Sequence, residues 1–216
     1  VHGRENVPIT GPFIVTLNHM SVSDTPILLM AFPGLRWRFF AGEKWRTHPI
    51  YGPIMTWLGA IYINRGEADR RAIREAVQAL KDGYVFGLAP EGSRSKDGQM
   101  RHGKGGAAYL ASRSKAYILP VSLQNNEKLF ANFLKLRRTT VEVTVGEPYL
   151  LPEVDGRVRT RELHAYSHLI MVKIAAMLPP SYHGVYAHSP ALVALQRGED
   201  PWPHCLELTA KGKPTA

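Results

Sequence analysis

Several things a chain could use to declare its chemistry or its compartment are missing here. Its 216 residues hold one cysteine, Cys205, and no Asn-x-Ser/Thr sequon, which excludes a disulfide framework and favours a reducing, cytosolic setting. No Gly-x-Ser-x-Gly elbow occurs, so no protein nucleophile announces itself and a reacting hydroxyl would have to come from a substrate. The longest mainly apolar stretch, Pro53 to Ile63, is interrupted by Thr56 and is well short of the ~20 residues of a membrane-spanning helix. No signal peptide is visible. The chain starts at valine, and an N-terminal segment is expected to precede it.

Acidic residues are also scarce. Lys and Arg number 27 against 18 Asp and Glu, a net charge of +9, which calls for an anionic partner: nucleic acid, an acidic membrane surface, a phosphorylated substrate or an acidic carrier protein. No nucleic-acid-binding motif is present, so nucleic acid is the weakest of these.

What is there reads as one α/β unit. The chain is 44% apolar, enough for a single sizeable core. Phe13 to Leu17 is a β-branched apolar run, a buried strand. Thr25-Pro26 opens a short helix over Ile27 to Ala31, with Ser23, Asp24 or Thr25 as cap. Leu35 to Ala41 reads as a strand, and Pro49 to Leu58 as an apolar helix or hairpin, either core or the wall of a channel. Gly66 to Lys81 is the clearest helix, with the stripe Ala68, Ala72, Ile73, Ala76, Val77 and Leu80. Tyr84 to Leu88 is a buried strand, and Arg161 to Leu178 a helix stopped by Pro179-Pro180 with the stripe Leu163, Tyr166, Ile170, Ile174 and Met177. Alternating strands and helices predict a single-domain mixed, largely parallel sheet flanked by helices. The domain is expected over residues 1–180, with 181–216 a tail of no assigned function packed on or extending from it.

Two polar stretches interrupt these apolar elements, Asn18-His19-Met20-Ser21-Val22-Ser23-Asp24 and Ala89-Pro90-Glu91-Gly92-Ser93-Arg94-Ser95. Both follow predicted strands, where α/β sheets build their sites. If the chain curls after Leu17, Asp24 can hold one imidazole nitrogen of His19 and leave the other to take a proton from a hydroxyl. The alternative is that Asp24 caps the helix and His19 is a half-buried structural histidine.

Asn18-His19-x-Ser21-x-x-Asp24 resembles the first motif of the glycerolipid acyltransferases, and Pro90-Glu91-Gly92-Ser93-Arg94-Ser95 is similar to their Pro-Glu-Gly-Thr-Arg-Ser motif. Ala60 to Gly66, an apolar strand ending in Arg65, resembles their second motif and Ile118-Leu119-Pro120-Val121 their fourth. Two departures are small: Ala89 stands where an aromatic is common, and Ser93 keeps the hydroxyl of threonine. The resemblance implies a transferase of phospholipid biosynthesis. His19, oriented by Asp24, would activate the free hydroxyl of 1-acylglycerol 3-phosphate (lysophosphatidic acid) against an acyl thioester, acyl-CoA or acyl carrier protein, giving phosphatidic acid. It implies that Glu91, Gly92, Ser93 and Arg94 bind the glycerophosphate. Arg65, Arg94 and Lys104 are candidates for the phosphate itself, since cationic forks suit a dianion. No metal or cofactor is expected. Backbone amides near the second motif are one candidate for stabilising the oxyanion. The expected location is the cytoplasmic face of the cell membrane, peripheral or anchored by the preceding segment. The alternatives are another lysolipid acceptor or a non-catalytic basic membrane-binding scaffold.

Four local patterns carry rival readings. Gly98 to Lys104 matches Gly-x4-Gly-Lys, but Gly105 follows where a phosphate-binding loop needs Ser or Thr, and no strand precedes it; Lys104 is either a substrate ligand or a solvated loop lysine. His164 and His168 have a metal-binding spacing but lack the glutamate after the first histidine. Trp37 and Trp45 with Arg36, Arg38, Lys44 and Arg46 suit a bilayer interface, or the aromatics fill core while the cations face water. Asn126 to Arg138 sets Leu129, Phe130, Phe133 and Leu134 among Lys128, Lys135, Arg137 and Arg138, either a helix in an anionic interface or one packed on the sheet.

Overall fold

The computed structural model describes residues 1–9, 11–64 and 69–210. Its centre is β1 (Phe13–Leu17), buried at every position because neighbouring strands flank it and helices cover both faces. The sheet has six strands in the order β3-β2-β4-β1-β5-β6, formed by β2 (Trp37–Gly42), β3 (Ala60–Ile63), β4 (Val85–Leu88), β5 (Tyr117–Gln124) and β6 (Glu142–Val145). All neighbours run parallel except β6, which pairs antiparallel with β5. The mixed, largely parallel sheet expected from the alternation of elements is the sheet observed.

Side chains of β1 alternate between two cores. Ile14 joins Phe86 and Ile118 under α3 (Arg70–Lys81), α4 (Gly105–Ser114) and α6 (Thr160–Ala175). Phe13, Val15 and Leu17 join Leu119 and Val121 beneath α1 (Asp24–Ala31). Asp69 caps α3, its Oδ1 accepting the Ala72 N–H at 2.9 Å, and Ala72, Ala76 and Leu80 of the expected stripe are buried. The start expected for this helix at Gly66 lies outside the described residues.

Three elements depart from the sequence reading. α6 is buried almost all round, not along one stripe, because the tail covers its outer side with α7 (Pro190–Gln196) and α8 (Trp202–Ala210); Trp202 stacks on Tyr166 at 5.0 Å between ring centroids. Residues Tyr51–Trp57 form a helix, α2, but only Gly52 in it is buried and Trp57 is 85% exposed, so it is not core. The Trp37 and Trp45 neighbourhood divides: Trp37 is half-buried beside Phe32, Trp45 packs edge-on against Tyr51, and the guanidinium groups of Arg36 and Arg38 lie over the Tyr84 ring. Among the described residues, no helix is long and apolar enough to cross a membrane.

Candidate active site

The site begins with an asparagine that replaces backbone. At the end of β1, Asn18 Nδ2 donates to the Leu123 carbonyl at 2.9 Å and Asn18 Oδ1 accepts from the Leu123 N–H at 2.8 Å. The ladder to β5 is thereby completed by a side chain, and the main chain is free to curl away from the sheet. The curl is closed by Asp24. Its Oδ2 accepts the Met20 N–H at 3.0 Å and meets His19 Nδ1 at 2.6 Å; its Oδ1 accepts the Ser21 N–H at 3.0 Å and the amide of buried Asn126. Asp24 therefore faces back into the turn. The cap position of α1 is Ser23, which makes no side-chain cap bond, so the helix-cap alternative for Asp24 is not what the fold uses.

His19 is held at its backbone as well as its ring. Its N–H donates to Glu91 Oε1 at 2.9 Å and its carbonyl accepts from the Ser95 N–H at 2.8 Å. The second Glu91 oxygen accepts the Arg101 N–H at 3.0 Å. Buried Glu91 thus joins three loops, and its burial pushes the carboxyl above its usual range while the amide bonds from His19 and Arg101 pull against that rise. An Asp24 carboxylate on Nδ1 fixes the tautomer with the proton there, leaving Nε2 as the acceptor. The His19 side chain is 19% exposed and that of Asp24 only 4%, so the carboxylate is sheltered while the ring reaches solvent.

That ring lines a cavity of about 1270 Å³ together with Asp24, Gly92 and Lys104. Gly92 has φ +68°, a left-handed conformation that calls for glycine, and the Lys104 side chain lies over it, Cδ 3.0 Å from where a Cβ would sit. Glu91, Ser93 and Arg94 lie off the cavity wall: Ser93 Oγ accepts from Arg101 Nη1 at 3.0 Å, and Arg94 is exposed. Arg65 lies outside the described residues. On one side the wall is apolar, with Leu17, Leu28, Trp37 and Phe39; Gly87 keeps it open, since a Cβ there would lie 3.3 Å from the Trp37 ring. On the other side the cavity runs between α3 and α4.

Two supports escape a reading by motif. Asn126 follows Asn125, whose φ of +65° suits an asparagine turn; the Asn-Asn pair after a strand was the available signal. The second is the tail: the Tyr186 hydroxyl accepts the Gly103 N–H at 3.0 Å, and the Met100 N–H donates to the Tyr182 carbonyl at 2.8 Å, so the loop carrying Lys104 is braced from residues 182–186. His168 Nε2 meets Ser189 Oγ at 2.8 Å, and burial drives its pKa down to about 4, with His102 adding to the fall. It is a neutral hydrogen-bonding histidine of this brace. Burial pushes the Cys205 thiol up to about 12, which removes thiolate character.

Residues 1–124 match the Acyltransferase family. A 1-acyl-sn-glycerol-3-phosphate acyltransferase of Borreliella burgdorferi is 29% identical over 132 residues, 60% of this chain and 52% of that one. An N-acylphosphatidylethanolamine synthase of Arabidopsis thaliana is 33% identical over 157 residues, 63% of this chain and 55% of that one. The chain spans about half the length of these relatives. Among solved structures, the 1-acyl-sn-glycerophosphate (LPA) acyltransferase PlsC of Thermotoga maritima superposes with a TM-score of 0.58 at 31% identity, covering 78% of this chain and 67% of that one.

Proposed function

Because this chain belongs to the acyltransferase family, we propose that it moves a fatty acyl group from an acyl thioester to the free hydroxyl of 1-acylglycerol 3-phosphate, giving phosphatidic acid. The observation that carries this reading is the 2.6 Å contact of His19 Nδ1 with Asp24 at a cavity that His19 itself lines. Nε2 removes the hydroxyl proton as the substrate oxygen attacks the thioester carbonyl. The tetrahedral adduct collapses, the C–S bond breaks, and the imidazolium returns its proton to the departing thiolate. Asp24 stabilises the imidazolium that exists between these transfers. The products are an ester and a free thiol, with no acyl-enzyme.

The acceptor places its phosphate two carbons from the reacting hydroxyl, so its cationic partner must lie close to His19. Lys104 and the first amides of α4 suit it: Gly105 and Gly106 line the same cavity with nothing crowding their missing side chains. In this reading Glu91 acts from beneath, fixing the His19 backbone, and Arg94, exposed and off the cavity wall, is not the first partner of the phosphate. The apolar wall of Leu17, Leu28, Trp37 and Phe39 takes an acyl chain. The thioester, acyl-CoA or acyl carrier protein, serves as co-substrate, and no further cofactor is needed. The Arabidopsis relative favours one second reading, an acceptor with a different head group.

We expect free-thiol release from palmitoyl-CoA, assayed in detergent, to require 1-acylglycerol 3-phosphate. Release without an acceptor would mean a thioesterase, and release with another lysolipid alone would move the acceptor assignment.

The reading places the reaction at an anionic membrane, on the cytoplasmic face of the cell membrane. Its support is the segment after β5, where α5 (Leu129–Leu134) leaves Phe130, Phe133, Leu134 and Leu136 exposed at 69%, 72%, 68% and 95%. Lys128, Lys135, Arg137 and Arg138 surround them and are also exposed. Such a patch matches an acidic interface. Phe130→Ser/Phe133→Ser is expected to lower binding to vesicles containing phosphatidylglycerol by at least about tenfold, given roughly 1.5–3 kcal/mol per buried Phe. Unchanged cosedimentation would remove α5 as the docking element.

A further inference from the structure

The cavity has a second arm, and its charge does not fit the acceptor. Between α3 and α4 it is lined by Arg70, Arg74 and Lys81 from one helix and Arg113 from the other, above a floor of Ile73 and Val77. The spacing 70, 74, 77, 81 follows one helix face, and it spreads these cations over about 16 Å along α3 at 1.5 Å per residue. All four cations are exposed. Among the described residues none of them has a carboxylate within ion-pair distance, whereas neighbouring Arg71, which does not line the cavity, is paired with Glu75 at 2.9 Å. Arginines and a lysine with no carboxylate partner among the described residues, on a helix that starts past the carboxyl end of β3 and runs back towards the start of β4, form a field for a ligand whose phosphate is set apart from its reacting carbon.

The two substrates differ in that distance. The acceptor phosphate sits two carbons from its hydroxyl and can use only cations beside His19. In an acyl-phosphopantetheine donor, the first phosphate is separated from sulfur by a chain of roughly 13 bonds, about 15 Å when extended as a peptide backbone extends. The geometry points to the α3–α4 arm as the seat of the donor's phosphopantetheine, its phosphate meeting Arg74 and Arg113 within a cationic field that Arg70 and Lys81 extend along α3, with Ile73 and Val77 lying under the arm. Coenzyme A and an acyl carrier protein both present this group, and the arm recognises the part they share. The inference rests on the acyl-transfer reading of the same cavity and assigns the direction from which the thioester enters. The acyl chain then leaves the carbonyl on the opposite, apolar side, past Trp37 and Phe39.

Arg74→Glu/Arg113→Glu tests it, with Arg71→Gln as the control on the same helix. The double variant is expected to raise KM for palmitoyl-CoA at least tenfold while KM for 1-acylglycerol 3-phosphate stays within twofold. It is also expected to leave turnover of the palmitoyl thioester of N-acetylcysteamine, which has no phosphate, unchanged. Arg71→Gln should change none of these. Parallel assays with palmitoyl-loaded acyl carrier protein separate the sources: a matching rise in its KM shows that the shared phosphopantetheine is read, and a rise confined to palmitoyl-CoA overturns that assignment in favour of the coenzyme's own additional phosphates. A selective rise in the lysolipid KM, or equal loss with the phosphate-free thioester, overturns the assignment. Calorimetric binding of free coenzyme A to wild type and to the double variant keeps the two readings apart. If wild type transfers no acyl group yet binds coenzyme A and the variant does not, the arm stands and the reaction falls; if both bind equally, the arm falls.

Discussion

Replacing His19 with alanine is expected to lower kcat by about 10²–10⁴-fold, the range lost with a general base, and to leave the fold intact. The second half of that expectation comes from how the turn is built. The His19 main chain is fixed by Glu91 and Ser95, and Asp24 keeps its Met20, Ser21 and Asn126 partners when the imidazole is gone. The loss in stability should be about 1 kcal/mol, one hydrogen bond at the rim of a cavity. Turnover of palmitoyl-CoA and 1-acylglycerol 3-phosphate, measured beside a urea denaturation curve, checks both halves. A variant that retains wild-type kcat would end the general-base assignment, and a variant that fails to fold would show that the ring itself supports the turn.

Asp24→Asn is expected to behave differently, with losses in both activity and stability. Every group around this carboxylate is a donor: two backbone amides, the Asn126 amide and the His19 Nδ1 proton. An asparagine has one oxygen, so its NH₂ is pushed against a backbone N–H in either orientation, that of Met20 or that of Ser21, inside a nearly closed pocket. Leaving such groups unsatisfied costs about 1–3 kcal/mol each. The variant should melt roughly 5–15 °C below wild type, at about 2–4 °C per kcal/mol for a chain of this size. Its kcat should fall by about 10³-fold, because the amide no longer fixes the tautomer or stabilises the imidazolium. The discriminating result is the comparison: His19→Ala melts near wild type and Asp24→Asn does not. Equal melting temperatures for the two would mean that Asp24 serves only the imidazole.

The sheet was legible because its strands carry strong local signals. The run Phe13 to Leu17 is apolar and β-branched, and its central place follows from that burial. The His19–Asp24 pair was legible as a spacing, but its meeting depends on Asn18 substituting for backbone and on Asn126 reaching back from the end of β5, contacts across 105 and 102 residues of sequence. No local pattern contains them. Glu91 shows the same limit: its motif marks it, yet its contacts are two backbone amides, which have no identity in a sequence. The periodicity of α6 predicts one apolar face. The tail that buries the other face is rich in proline, glycine and charge, and such composition hides the fact that Trp202 and Cys205 point inward. The composition of α2 suits apolar core or a channel wall, and hydrophobicity alone does not say that Trp57 faces outward.

The brace between Tyr186 and Gly103 bears on where the working unit ends. The segment that carries the family signature stops at residue 124, yet Asn126, Tyr182 and Tyr186 lie beyond it and are bonded to Asp24, Met100 and Gly103 within it. Cutting or grafting at the edge of the signature would transplant His19 and Asp24 without the splints that hold their surroundings. The inherited motifs and the mechanically competent module are therefore different lengths of chain, and an exchange of parts between relatives has to respect the longer one.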